Sequence, residues 1–167
     1  MKKNKWFYGF VLLQVFFLIL MSVSYYAMDI FGETITLKTV PVDPRDPFYG
    51  DYITLEYEIE QIPKEKWAVE KPLTRGEKVF LLLEKSESEV YELVRASTIW
   101  PDASNAQVVL SSKYRWSDSS TAQYQVDIGL DRFYIEENSG ALWEQRKERV
   151  AEIVLAPWKQ KKIVTVK

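Results

Sequence analysis

Two hydrophobic patterns divide this chain. Residues 6–28 run for 23 positions without a charge, and Gln14 is their most polar side chain. At about 1.5 Å per helical residue, such a run crosses the roughly 30 Å hydrocarbon core of a bilayer with room for tilt. Beyond Gly32 the unbroken run gives way to alternation, the mark of half-buried strands. Strands are predicted at residues 34–40, 51–59, 78–85, 90–99, 107–116, 122–130, 150–155 and 163–166. In the cleanest of them, 51–59, Ile53, Leu55, Tyr57 and Ile59 share one face, while Tyr52, Thr54, Glu56 and Glu58 share the other. Tyr52 and Tyr57 therefore point opposite ways, and one of them is expected in the core.

Punctuation between the strands is equally readable. Three prolines in residues 41–47 restrict themselves and the residues before them, so no regular element passes through. Residues 63–75 read as a polar connection with a helical turn near 65–69, and turn-rich stretches stand at 86–88, 101–105 and 117–121. Ser139 is placed to cap a helix over 140–149, with Glu144 early and Arg146, Lys147 and Arg149 late, as the helix dipole favours. The expected fold is an N-terminal transmembrane helix followed by a mainly-β domain, an antiparallel sandwich or barrel with one short C-terminal helix. Residues 1–31 form the lysine-rich tip and anchor, and residues 32–167 the β-rich domain.

Charge orients the anchor. Lys2, Lys3 and Lys5 precede the apolar run, and Asp29 and Glu33 follow it. The positive-inside rule then puts the N-terminus in the cytoplasm and the β domain on the extracytoplasmic side of a cell membrane, as a single-pass protein. Trp6, Phe7 and Tyr8 at one end and Tyr25 and Tyr26 at the other suit the headgroup level. A cleaved secretory signal is disfavoured. The run exceeds the roughly 7–15 residues of a signal core, and the exit Tyr25-Tyr26-Ala27 sets a bulky ring where a small-x-small site needs a small residue. Without the three N-terminal lysines, 19 basic residues face 24 acidic ones, a balance of −5. A mildly acidic domain lacks the concentrated basic surface that nucleic acid requires.

The chain of 167 residues has neither cysteine nor histidine. That excludes thiol nucleophiles, thiolate zinc sites, redox pairs, lipidated cysteine and every imidazole-based triad. Asp43, Asp46 and Asp51 supply three carboxylates within nine residues, but not at the spacing of a calcium loop, and Asp before Pro is ordinary turn chemistry. No metal or cofactor is expected.

The stretch Gly50-Asp51-Tyr52-Ile53-Thr54-Leu55-Glu56-Tyr57 resembles, at Gly50, Asp51, Tyr52, Leu55 and Tyr57, the signature of the GDYXXLXY family of bacterial membrane-anchored proteins. Asp43-Pro44-Arg45-Asp46 is similar to that family's lead-in, and residues 129–135 resemble a second, looser block. The resemblance implies one membrane helix and a small outer domain, but no reaction. The leading functional expectation is a non-catalytic interaction module of the bacterial cell envelope whose partner is another membrane or envelope protein. Its candidate contact surface is Asp43, Arg45, Asp46, Gly50, Asp51 and Tyr52, where Arg45 offers a bidentate donor.

Two other classes compete. The layout is similar to that of type I signal peptidases, which use a Ser nucleophile and a Lys base. No serine lies between Gly32 and Gly50, so such an envelope hydrolase would need Thr34, Thr36 or Thr39 with Lys78 or Lys85. Alternatively, Trp67, Trp100, Trp116, Trp143 and Trp158 would line a groove for a sugar or other small ligand, although aromatics of a small β domain are more often core.

Overall fold

A computed structural model describes residues 3–40, 52–118, 120, 122–134 and 149–167. These residues fall into two compact units. The first comprises Met1–Thr34 and Val154–Lys161. It is built on helix α1, Lys3–Phe31, which over Lys5–Phe31 is long and apolar enough to cross a membrane. Its side chains are exposed along most of its length, as for Phe10, Phe16 and Phe17. The exception is near its C-terminal end, where Met28 is 2% exposed and packs with Val154 and Ala156. Gly32 makes that approach feasible. A Cβ there would overlap the Met28 carbonyl oxygen and Val154 Cγ1.

The second unit, Ile35–Ile153 with Lys162–Lys167, is β-rich. The strands of the described residues are β1 Glu33–Val40, β2 Tyr52–Thr54, β3 Glu56–Tyr57, β4 Gln61–Pro63, β5 Lys78–Lys85, β6 Tyr91–Ser97, β7 Gln107–Asp118, β8 Gln123–Asp127, β9 Arg132–Tyr134, β10 Arg149–Leu155 and β11 Lys161–Val166. They form a four-stranded sheet ordered β11-β10-β1-β3, a ribbon β2-β9 and a five-stranded sheet ordered β4-β8-β7-β5-β6. Every pairing in the five-stranded sheet is antiparallel.

Alternation along β5 sets the core of that sheet. Val79, Leu81 and Leu83 face inward opposite Ser112, Leu110 and Val108 of β7, and Ala96, Leu93 and Val126 join them from β6 and β8. Each fully buried Leu or Ile contributes roughly 1.5–3 kcal/mol. Ser112 is tolerated among them because its hydroxyl donates to the Val79 carbonyl at 2.9 Å.

The two edges of this sheet are drawn together by the segment that leaves β4. It turns through a 3-10 element, Lys64–Lys66, after which Trp67 bridges Ala96 of β6 and the Ala68 N–H donates to the Ala96 carbonyl at 2.9 Å. With β4 on one edge and β6 on the other, the sheet comes close to a closed barrel, the fold's answer to an exposed strand edge. The Trp67 ring lies flat on Tyr124, with centroids 4.2 Å apart and planes 2° off parallel, and Tyr114 is 6.0 Å away.

Most predicted strands match β1, β5, β6, β7, β8, β10 and β11 within a few residues, and the predicted turn at 65–69 appears as the 3-10 turn Lys64–Lys66. One prediction needs correction. Residues 51–59 do not form a single strand: β2 ends at Thr54, β3 covers Glu56–Tyr57, and Glu58–Glu60 is a 3-10 turn. The alternation is real, since Ile53, Leu55, Tyr57 and Ile59 are all buried, but the chain changes sheet at Leu55. The short strands β4 and β9 were not predicted. The predicted helix at 140–149 lies outside the described residues except for Arg149, which opens β10.

Candidate functional site

The signature explains itself through what it touches. Tyr52, Ile53 and Thr54 of β2 pair antiparallel with Tyr134, Phe133 and Arg132 of β9. At Leu55 the backbone leaves that ribbon. Its N–H donates to the Asp131 carbonyl at 2.8 Å, while its side chain is 2% exposed. Two residues on, Tyr57 pairs with Thr39 of β1 and is buried, and its phenolic O–H donates to the Leu130 carbonyl at 2.9 Å. The two blocks picked out in the sequence, 50–57 and 129–135, are thus laid against each other over their described residues.

A buried carboxylate extends the clamp. Glu60, in the 3-10 turn, accepts the Tyr57 N–H at 3.1 Å through Oε2 and the Ile128 N–H at 2.8 Å through Oε1. Burial pushes its carboxyl above the ordinary range, with Asp127 adding to the effect, while the two backbone N–H groups and Arg115 pull it down. Burial, reinforced by Glu60 and Asp131, likewise holds the Tyr57 phenol well above its usual range, so it stays a hydrogen-bond donor. Arg115 is the extra residue of a bulge in β7 opposite β8. The bulge re-aims its side chain, and Nη2 meets Asp127 Oδ2 at 3.0 Å. Asp127 Oδ1 accepts the Gly129 N–H at 2.6 Å, and Gly129 has φ of +71°, a conformation that suits glycine. Asp127 to Asp131 is therefore pinned at successive backbone positions by Tyr57, Glu60, Leu55 and its own side chain.

Of the signature tyrosines, the core one is Tyr57. Tyr52 is half-buried on the other face, its ring 6.2 Å from that of Tyr134, with the Arg132 guanidinium carbon 5.4 Å from its centroid. Tyr134 is 70% exposed and Arg132 exposed. Tyr52 is the described portion of the predicted contact surface, and Arg132 and Tyr134 stand beside it. Asp43, Arg45, Asp46, Gly50 and Asp51 lie outside the described residues. Sequence reasoning singled out the second block but gave Arg132 and Tyr134 no role; the signal was an exposed Arg and Tyr two apart on one strand face.

The hydroxyl and amine candidates belong to different sheets. Thr39 is in β1 of the four-stranded sheet, whereas Lys78 and Lys85 are exposed at opposite ends of β5 in the five-stranded sheet, and Lys85 pairs with Glu89 at 3.2 Å. Trp100 stands edge-on to Phe80 at 5.1 Å, Trp67 stacks on Tyr124, Trp116 is exposed, and Trp143 lies outside the described residues. An open cleft of about 410 Å³ is lined from β4 and β6, with Lys38, Glu58, Gln61, Lys66, Tyr91 and Glu92 on its walls and no tryptophan. Lys66 Nζ reaches across to the Leu93 carbonyl at 2.6 Å, so the cleft is the polar seam of the nearly closed barrel. Among the described residues, no group of three or more acidic side chains is arranged to hold a metal ion.

No curated protein and no solved structure matches this chain. One family model, described as GDYXXLXY protein, matches residues 14–166. That span takes in most of α1 and both motif blocks, and the chain belongs to the GDYXXLXY family.

Proposed function

We propose that this protein is a membrane-anchored interaction module of the bacterial cell envelope. Its N-terminal helix holds the β domain outside the cytoplasm, and the domain acts by contact with another membrane or envelope protein. The observation that carries the anchored reading is the end of α1. Met28 is buried against Val154 and Ala156, and Ser24 Oγ donates to Gln160 Oε1 at 3.1 Å. Cleavage after Ala27 would remove Ser24, the donor to Gln160, and would leave Met28 as a bare chain end. The family match also begins within the apolar run, at residue 14. Lysines before the helix and Asp29 and Glu33 after it support the orientation.

Contact, not catalysis, is supported by a chain without His or Cys and by hydroxyl and amine candidates on different sheets. The surface favoured for a partner is the lead-in Asp43, Arg45 and Asp46, with Gly50, Asp51 and Tyr52, extended to Arg132 and Tyr134. Tyr and Arg are the side chains that most often dominate protein interfaces. Co-purification from membranes tests this, comparing the native chain with an Arg45→Ala, Asp46→Ala form and a Tyr52→Ala, Arg132→Ala form. The expected result is the loss of a defined protein from both variants. Recovery of the same proteins with all three forms would remove the surface from consideration.

A further inference from the structure

The turn between β10 and β11 has a composition and a location that its role as a connector does not explain. The Ala156 N–H donates to the Gln160 carbonyl at 2.8 Å, and the Lys159 N–H donates to the Ala156 carbonyl at 2.9 Å. Pro157, Trp158, Lys159 and Gln160 form an exposed tip. Lys159 has φ of +71°, a left-handed position where glycine would relieve the strain, of order 1 kcal/mol. A lysine is held there nonetheless, directly after a 41% exposed tryptophan.

This tip belongs to the same compact unit as the apolar helix and is fastened to its last turns. Gln160 Oε1 accepts two hydrogen bonds, from Ser24 Oγ at 3.1 Å and from Trp158 Nε1 at 2.8 Å. Ser24 lies four residues before Met28, the last of the uncharged run, or about 6 Å along the helix axis. The headgroup layer on each side of the hydrocarbon core is of similar thickness, roughly 5–7 Å. With Asp29 among the headgroups, Ser24 stands at the boundary between headgroup and hydrocarbon. Trp158 is tied to that level through the shared glutamine. Its indole N–H is already paired within the protein, so the ring can enter an apolar layer without leaving a donor unsatisfied. Tyr25 and Tyr26, both exposed, lie at the same height on the helix.

We infer that the β10–β11 turn is a second membrane contact. Pro157 and Trp158 rest in the phospholipid interface beside the anchor helix, with Lys159 at the headgroup phosphates, and the occupant of this exposed tip is the bilayer in which α1 sits. Tryptophan is enriched at that boundary, and a lysine beside it lays its apolar stem along the interface while keeping its charge among the headgroups. The inference depends on the anchored reading of α1, and the experiment separates the two.

Because the chain has no cysteine, single nitroxide labels can be placed without background. The full chain is reconstituted in phosphatidylcholine–phosphatidylglycerol vesicles with a label at Leu13→Cys, at Pro157→Cys or at Lys159→Cys, and collision with oxygen is compared with collision with a water-soluble nickel chelate. The expected result is a lipid-buried label at 13, and labels at 157 and 159 whose ratio of oxygen to nickel collisions is several-fold above that of a label at the exposed Glu87→Cys. Two tip sites guard against one substitution disturbing the turn. A buried label at 13 with both tip labels matching the label at Glu87→Cys overturns the inference and leaves the anchor standing. An aqueous label at 13 overturns both.

Discussion

Glu60 shows how much a single side chain decides. Two backbone N–H groups from different segments, Tyr57 and Ile128, share its carboxylate, and its side chain is 7% exposed. Glu60→Gln keeps the shape but turns an NH2 toward one of those donors. We predict a loss of about 1–3 kcal/mol, measured by thermal unfolding in detergent near pH 7. The loss should depend on pH. Burial raises the folded-state affinity of Glu60 for its proton, so its contribution is fullest below the ordinary carboxylate value of about 4.3 and declines as pH rises through the raised folded value. The gap between native protein and Glu60→Gln should therefore narrow from pH 4 toward pH 8. A gap that widens over that range would contradict the assigned burial. Tyr57→Phe is gentler. It keeps the buried ring and deletes only the bond to the Leu130 carbonyl, with an expected cost of about 1 kcal/mol by the same measurement.

Elements meet at two places where a small change has a large expected effect. Gly32 joins α1 to β1 with no room for a side chain, because Met28 and Val154 already occupy the space. Gly32→Ala should force that junction apart at a cost of roughly 1–3 kcal/mol, and limited proteolysis should then cut between the helix and β1 faster than in the native chain. Unchanged cleavage and unchanged melting would mean the junction relaxes freely. The second place is the segment after β4, where Trp67 stacks on Tyr124 and reaches Ala96. Trp67→Ala should cost up to about 3 kcal/mol. Hydrogen exchange should accelerate at β4 and β6 before β5 and β7, since the sheet opens from its edges. Equal acceleration throughout would show that the ring supports the core as a whole and not the seam.

At the scale of the whole molecule, the described part of the signature, from Tyr52 to Tyr57, holds two remote stretches of chain together. Leu55 and Tyr57 point inward, and the backbone they stabilise carries Arg132 and Tyr134 to the surface beside Tyr52. A motif five defined residues strong can therefore mark a fold without marking a reaction. Its contribution to partner binding would come through Tyr52 and through the geometry it imposes on β9, so Leu55→Ala should lower stability by about 2–5 kcal/mol and reduce partner capture only as far as it unfolds the protein. Capture lost in a form that melts like the native chain would assign Leu55 a direct role.

The sequence alone determined the apolar helix, the β class and seven of the strands, because these depend on periodicities read within ten or twenty residues. It also singled out both motif blocks. The tertiary structure decided what no local pattern contains. The 51–59 alternation splits at Leu55 because Asp131, 76 positions away in sequence, supplies an acceptor for its N–H. Glu60 is buried because a turn folds it onto Ile128, although a glutamate after an outward-facing Glu58 reads as solvated. β4 and β9 are three residues each, too short for a periodic signal, and exist because β8 and β2 offer them partners. The end of the helix was legible as a run that stops at Asp29. Its attachment to the turn at Trp158 and Gln160 was not, since that pairing is made by side chains more than 130 positions apart, brought together only when β10 and β11 form their hairpin.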